Sequence, residues 1–218
     1  MGLTVSASSG GGNFVQVPAG VHLARCYRII DLGTQKTTYM GQSKMSPKVL
    51  FQFEVHTEDD DGTPLLTQDG KPLSISKQYT LSLGENAIMR RDLQSWRGKG
   101  FTPEELKMFE LENVLGQWCM INVVHTSKDD KTYANIDSIT PVPAAMKKNG
   151  LPEGANPPVI FSIRSADMAV FDTFSDYIKD KIKSSPEWET WGSQATTSEA
   201  PAEKGADFDD FESDIPFN

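Results

Sequence analysis

Apolar and polar positions alternate along three early stretches of the chain, and a period of two is the mark of a half-buried strand. Gly20 to Leu32 (GVHLARCYRIIDL), bounded by Pro18-Ala19-Gly20 and Gly33, predicts a first strand. Its alternation is imperfect, as expected of a long curved strand that serves both halves of a small barrel. A polar loop from Thr34 to Pro47 follows. Lys48 to Thr57 alternates cleanly, with Val49, Phe51, Phe53 and Val55 on a core face and Lys48, Gln52, Glu54 and His56 opposite. After turns at Glu58 to Gly62 and Asp69 to Pro72, Leu73 to Leu83 predicts a third strand. Leu73, Ile75, Tyr79, Leu81 and Leu83 take its core face, and Ser74, Ser76, Gln78, Thr80 and Ser82 form a small uncharged face suited to a ligand.

The period then becomes helical. Ser82-Leu83-Gly84-Glu85 has the spacing of a capping box, and Met89, Leu93 and Trp96 recur as one stripe, which places Trp96 in the core and turns Arg90, Gln94 and Arg97 onto another face. Gly98-Lys99-Gly100 ends this helix. Thr102 caps a second, short one with Pro103 at its first position and Glu105 completing the box, and Gly116 stops it. Gln117 to Thr126 and Thr132 to Thr140 predict two strands joined as a hairpin. Pro141 to Pro158 is a proline-rich extended connector. Ser165 then caps a helix running to Ser184, with Phe171, Phe174, Ile178 and Ile182 on one stripe and Lys179, Lys181 and Lys183 near its end. That stripe covers an open end of the body or meets a second subunit, so a homo-oligomer stays open. Pro186-Glu187-Trp188 ends the helix, and from Gly192 the composition is that of a disordered linker.

The chain therefore divides into a flexible leader (1–17), a body (18–143), a connector with a C-terminal helix (144–191) and an acidic tail (192–218). The body is mainly β, five strands with a helix between strands three and four. That is the element order of an OB-fold, a Greek-key barrel that binds oligonucleotides or oligosaccharides across strands two and three and loops one-two and four-five.

Charge first argues against a nucleic-acid ligand and then stops doing so. The 218 residues carry 30 acids and 21 bases, net -9. From Glu199 onward, however, there are seven acids against Lys204 alone, which leaves the preceding residues about three charges negative and free to hold a basic surface. The last twelve residues, Asp207 to Asn218 (DFDDFESDIPFN), combine five acids with three phenylalanines. Such a segment is too polar and short to fold alone. Its acids suit a basic surface and its apolar tip a shallow pocket, on a partner or on the protein's own groove. Asp209, Asp210, Phe211, Asp214, Ile215, Pro216 and Phe217 are the partner-binding candidates.

Cys26 and Cys119 stand alone in apolar runs, which suits reduced buried thiols, and the spacing of the three histidines offers no zinc site. The acidic turn Glu58 to Gly62 lacks the ligand spacing of a calcium loop. No cofactor is expected. With no signal-like start and no run approaching about 18 apolar residues, a cytoplasmic location away from membranes is expected. An enzyme is not expected either, because no nucleophile with a base, no phosphate-cradling loop and no convergent carboxylates emerge.

Sequence-blind binding of single strands needs aromatic faces for bases and Lys or Arg for phosphates. The candidates are Lys36, Tyr39, Lys44 and Lys48 around the first loop, Lys77 and Tyr79 on strand three, Arg90, Arg91, Arg97 and Lys99 on and after the helix, and Lys131 and Tyr133 on the last hairpin. Tyr79 and Tyr133 are equally readable as core aromatics, and Arg90 and Arg97 as a solvated helix face.

The tail sequence Asp207-Phe208-Asp209-Asp210-Phe211 followed by Ser213-Asp214-Ile215-Pro216-Phe217 resembles the acidic tip of bacterial and phage single-stranded DNA-binding proteins. The body is similar to a phage family of such proteins in LQSWRGKGFTPEEL (Leu93 to Leu106), VLGQWCMINVVH (Val114 to His125) and TYANIDSITPVP (Thr132 to Pro143). This resemblance implies an OB-fold that coats single strands in the host cytoplasm during phage DNA replication, recombination or repair. It also implies a tail that recruits replication or repair proteins, and on electrostatic grounds the tail acids are expected to compete with DNA for the basic groove. The bacterial pattern ends on Phe, whereas Asn218 follows Phe217 here, which alters the carboxylate that a partner's basic pocket would meet. An OB-fold protein-binding adaptor or a strand-annealing protein of a recombination system is the alternative.

Overall fold

The computed structural model describes residues 15–39, 41–129 and 131–198. The architecture is mainly β: a six-stranded sheet flanked by short helices. Strands β1 (Gly20–Tyr39), β2 (Gln42–His56), β3 (Leu73–Thr80), β4 (Trp118–Lys128) and β5 (Lys131–Thr140) lie in the order β3-β2-β1-β4-β5, every neighbour antiparallel. Strand β1 organises the sheet. One edge pairs with β2 from Leu23↔His56 to Tyr39↔Gln42, and the other pairs first with β4 over Gly20 to Arg25. Its middle, Arg28 to Ile30, then takes a short parallel strand, β6 (Val159–Phe161).

Two register shifts in β1, between Cys26 and Arg28 and between Asp31 and Gly33, account for its broken alternation. Ala24, Cys26 and Ile29 join one core with Phe51, Phe53, Ile75, Tyr79, Ile121, Val123, Ile136 and Ile139. Ile30 and Leu32 instead enter a second core on the other side of the β1–β2 ladder. Helix α1 (Ile88–Arg97) seals the first core with Met89, Leu93 and Trp96, whose indole Nε1 donates to the Trp118 carbonyl at 3.0 Å. Strands β3 and β5 come alongside each other at this seam, where Lys77 Nζ donates to the Asp137 carbonyl at 3.1 Å.

The C-terminal elements build the second core. After α2 (Pro103–Lys107), whose capping box on Thr102 and Glu105 is present, α3 (Ala144–Asn149) lies within the stretch expected to be a bare connector, and β6 follows directly after that stretch. Helices α4 (Met168–Asp172), α5 (Asp176–Lys183) and α6 (Pro186–Ser198) follow. Phe161, Phe171, Phe174, Ile178 and Ile182 pack on Ile30 and Leu32, with Leu50, Trp188 and Trp191 at the margin. The apolar stripe thus docks on the outer face of β1–β2 in its own chain.

Several elements depart from the sequence pattern. The loop expected from Thr34 to Pro47 is a continuation of the β1–β2 hairpin. Exposed polar side chains suffice there, because the ladder is backbone and Thr38 Oγ1 meets Ser43 Oγ at 3.1 Å across it. Ser82 does not cap α1; its Oγ accepts from the Gly84 N–H at 3.2 Å, and the N-cap position is Ala87, five residues later. The single helix expected from Ser165 to Ser184 is two, with Asp167 as the cap of the first, accepting from the Ala169 N–H at 2.9 Å. Pro186 opens α6 rather than ending a helix, as its fixed φ and missing N–H allow at a first position. Consequently the stretch from Gly192 to Ser198, expected to be linker, is helical. The tail candidates Asp209, Asp210, Phe211, Asp214, Ile215, Pro216 and Phe217 lie outside the described residues. Among the described residues no helix is long and apolar enough to cross a membrane.

Candidate nucleic-acid interface

Cross-strand register assembles the site. On the outward face of β2 and β3 the directly opposed pairs are Lys48↔Thr80, Leu50↔Gln78, Gln52↔Ser76 and Glu54↔Ser74. Ser74, Ser76, Gln78 and Thr80 are exposed, so β3 presents an uncharged edge of small and amide side chains. Lys48 Nζ donates to Thr80 Oγ1 at 2.7 Å, and from the C-terminal layer Lys181 Nζ donates to Gln78 Oε1, also at 2.7 Å. Partial burial, then the charges of Lys181 and Lys44, lower the Lys48 pKa below the ordinary lysine value. Lys44 and Lys181 thus each repel Lys48, and none of the three is in an ion pair with a described carboxylate. Beside it runs an open groove of about 640 Å3 lined by Lys48, Gln78, Thr80, Ser82, Ile88 and one acid, Glu85.

The other candidates divide by environment. Lys36 is exposed but pairs with Met45, on the face of the ribbon opposite Lys44 and its partner Thr37. Tyr39 closes the ladder opposite Gln42. Lys77 and Tyr79 are turned inward. Lys77 Nζ lies 2.7 Å from Asp92 Oδ2, and the Tyr79 hydroxyl donates to the same oxygen at 3.1 Å while its ring meets Phe51 edge-on. Burial and then the Asp92 charge push the Tyr79 hydroxyl above its ordinary pKa. This group ties β3, α1 and β5 together. Arg91 reaches the other Asp92 oxygen, Arg90 donates to the Leu83 carbonyl, and Arg97 pairs with Glu105 and lies over the rings of Phe101 and Phe109. Lys99 is exposed beyond the helix. Lys131 and Tyr133 are exposed on the β4–β5 hairpin, which runs on past Gly20, the opposite end of β1 from Lys44. The structure thus brings Lys44 and Lys48 together on one face and keeps Lys131 and Tyr133 apart from them.

Three residues missed in the sequence stand at this face. Lys181 and Tyr177 come from α5, where Lys181 Nζ lies 4.7 Å from the centre of the Tyr177 ring and that ring is 68% exposed. Arg28 is opposite Gln52, with its guanidinium 5.4 Å from the centre of the Phe174 ring; its buried Nε and the Gln52 Oε1 have no hydrogen-bond partner among the described residues. A base inside the apolar run Gly20 to Leu32 was a visible signal for Arg28. Nothing in the sequence placed Lys181 beside β3, since that contact depends on how α5 docks.

A second concavity, about 510 Å3, lies between Val21, His56, Leu66, Met120, Met146 and Pro152 and has no Lys or Arg among the described residues of its lining. No family model matches the chain, and neither does any curated protein.

Proposed function

We propose that the chain binds single-stranded DNA without sequence preference, as a coating and protecting protein of phage DNA replication, recombination or repair. It is a binding protein and not a catalyst, and its body is a partly open OB-fold barrel. The order β3-β2-β1-β4-β5, the helix between β3 and β4, and the approach of β3 to β5 through Lys77 and Asp137 support that fold. The observation that carries the reading is the outward β2–β3 face: an uncharged edge flanked by Lys44 and Lys48, which have no carboxylate partner among the described residues. Such a face offers phosphates unneutralised charge and offers no hydrogen-bond code for one particular base. The acidic tail, with Asp209, Asp210, Phe211, Asp214, Ile215, Pro216 and Phe217, competes for this basic face in the absence of DNA and recruits partner proteins once displaced.

Titrating the full-length chain into labelled oligo-dT and into a duplex of equal length, over a salt series, tests this. Tight oligo-dT binding that weakens steadily with salt, and much weaker duplex binding, is expected. No binding to oligo-dT at low salt would leave the adaptor reading in its place.

A further inference from the structure

We propose that Tyr177 and Lys181 of α5, together with Lys48 of β2, form a nucleotide subsite at the seam between the barrel and the C-terminal layer. The Tyr177 ring stacks a base there, and the two ammonium groups hold the adjoining phosphate. The inference rests on the single-strand reading above and adds an element that the barrel itself does not contain.

An exposed tyrosine beside a lysine one turn on is ordinary on a solvated helix. Here the lysine does more. Its Nζ spans from α5 to Gln78 on β3, while Lys48 Nζ holds Thr80, two residues further along the same face. The two acceptor positions are therefore about 7 Å apart along the strand, close enough for one phosphodiester to sit between the ammonium groups. Gln35 fixes the approach of α5, donating from Nε2 to the Lys181 carbonyl and to the Leu32 carbonyl, each at 2.7 Å. Ile178 and Ile182 anchor the opposite side of the helix in the second core. Tyr177 is thus held outward on a fixed element, at 68% exposure, with Lys181 over its ring. Asp176 and Asp180 on the same helix pair with neither lysine. Burial first, and then the charges of Lys181 and Lys44, disfavour the charged form of Lys48; a phosphate between the ammonium groups offsets the repulsion.

The test compares full-length wild type with Y177A, Y177F and K181Q on labelled oligo-dT and on an abasic strand of the same length. Y177A is expected to weaken oligo-dT binding on the order of tenfold, to leave abasic binding unchanged, and to be rescued by Y177F, which keeps the ring. K181Q is expected to reduce the slope of log affinity against log salt by about 0.7. Because it removes a like charge, its thermal midpoint is expected to equal or exceed that of wild type, whereas a residue that merely held the helix would lower it. Wild-type binding with both Y177A and K181Q unaltered overturns the subsite alone. No oligo-dT binding by wild type overturns the single-strand reading and the subsite with it.

Discussion

Glu54 is a fully buried carboxylate on the outward side of β2, and four groups converge on it. Arg25 Nη1 donates to Oε1 at 3.1 Å, as does the Ala155 N–H, and the backbone and side-chain N–H groups of Asn156 each donate to Oε2 at 2.8 Å. Burial alone raises its pKa; the bonds from Asn156, Arg25 and Ala155 outweigh that and hold it below the ordinary glutamate value. The folded chain therefore binds fewer protons than the unfolded chain just below that value. The contribution of Glu54 to stability is complete at neutral pH and fades as pH falls through the depressed pKa. E54Q keeps the shape but leaves the Arg25 guanidinium without its counter-charge. The expected loss is about 3 kcal/mol at pH 7, with the gap to wild type closing in acid, read from urea midpoints across pH. A gap that stays constant into acid would assign the cost to packing instead.

At the scale of elements, α6 is held to β1 by one contact set. Glu187 accepts from the Thr34 N–H at 2.8 Å, and Ser185 packs against Gly33, whose φ is +64°. A Cβ at Gly33 would lie 2.5 Å from both Ser185 side-chain atoms, whereas one at Gly41, φ +78°, meets nothing within 4 Å. G33A is expected to cost about 3 kcal/mol and G41A about 1–2 kcal/mol, compared by urea denaturation. Equal costs would mean that the left-handed backbone alone, and not the α6 contact, matters at Gly33. Legibility in the sequence followed the same line between local and distant contacts. The stripe of Met89, Leu93 and Trp96 and the Thr102 box were readable because their partners are near in sequence or share one face. The false box at Ser82 was not, because its hydroxyl was taken by the Gly84 N–H. The inward turn of Lys77 was hidden as well: it shares the face of Ile75 and Tyr79, and only α1 supplies the buried Asp92 that makes a lysine tolerable there.

For the molecule as a whole, two cores lie back to back across the β1–β2 ladder, and the candidate site sits where they meet. Sequence reading found one half, Lys44 and Lys48 on the hairpin, because loop lysines beside a polar strand face carry their own signal. The other half, Tyr177 and Lys181, sits about 130 residues further along and becomes part of the site only through the docking of Ile178 and Ile182. The net charge of -9 describes neither half, since seven of the acids follow Ser198. The most direct measurement of where a single strand lies is photo-cross-linking. An iodouracil-substituted single strand is coupled to the full-length protein and the attachment points are mapped by mass spectrometry. Adducts at Tyr177 and in the peptides spanning Lys44 to Lys48 and Ser74 to Thr80 are the expected result. Adducts confined to the concavity around Met120 and Met146, or none above a duplex control, would contradict the account.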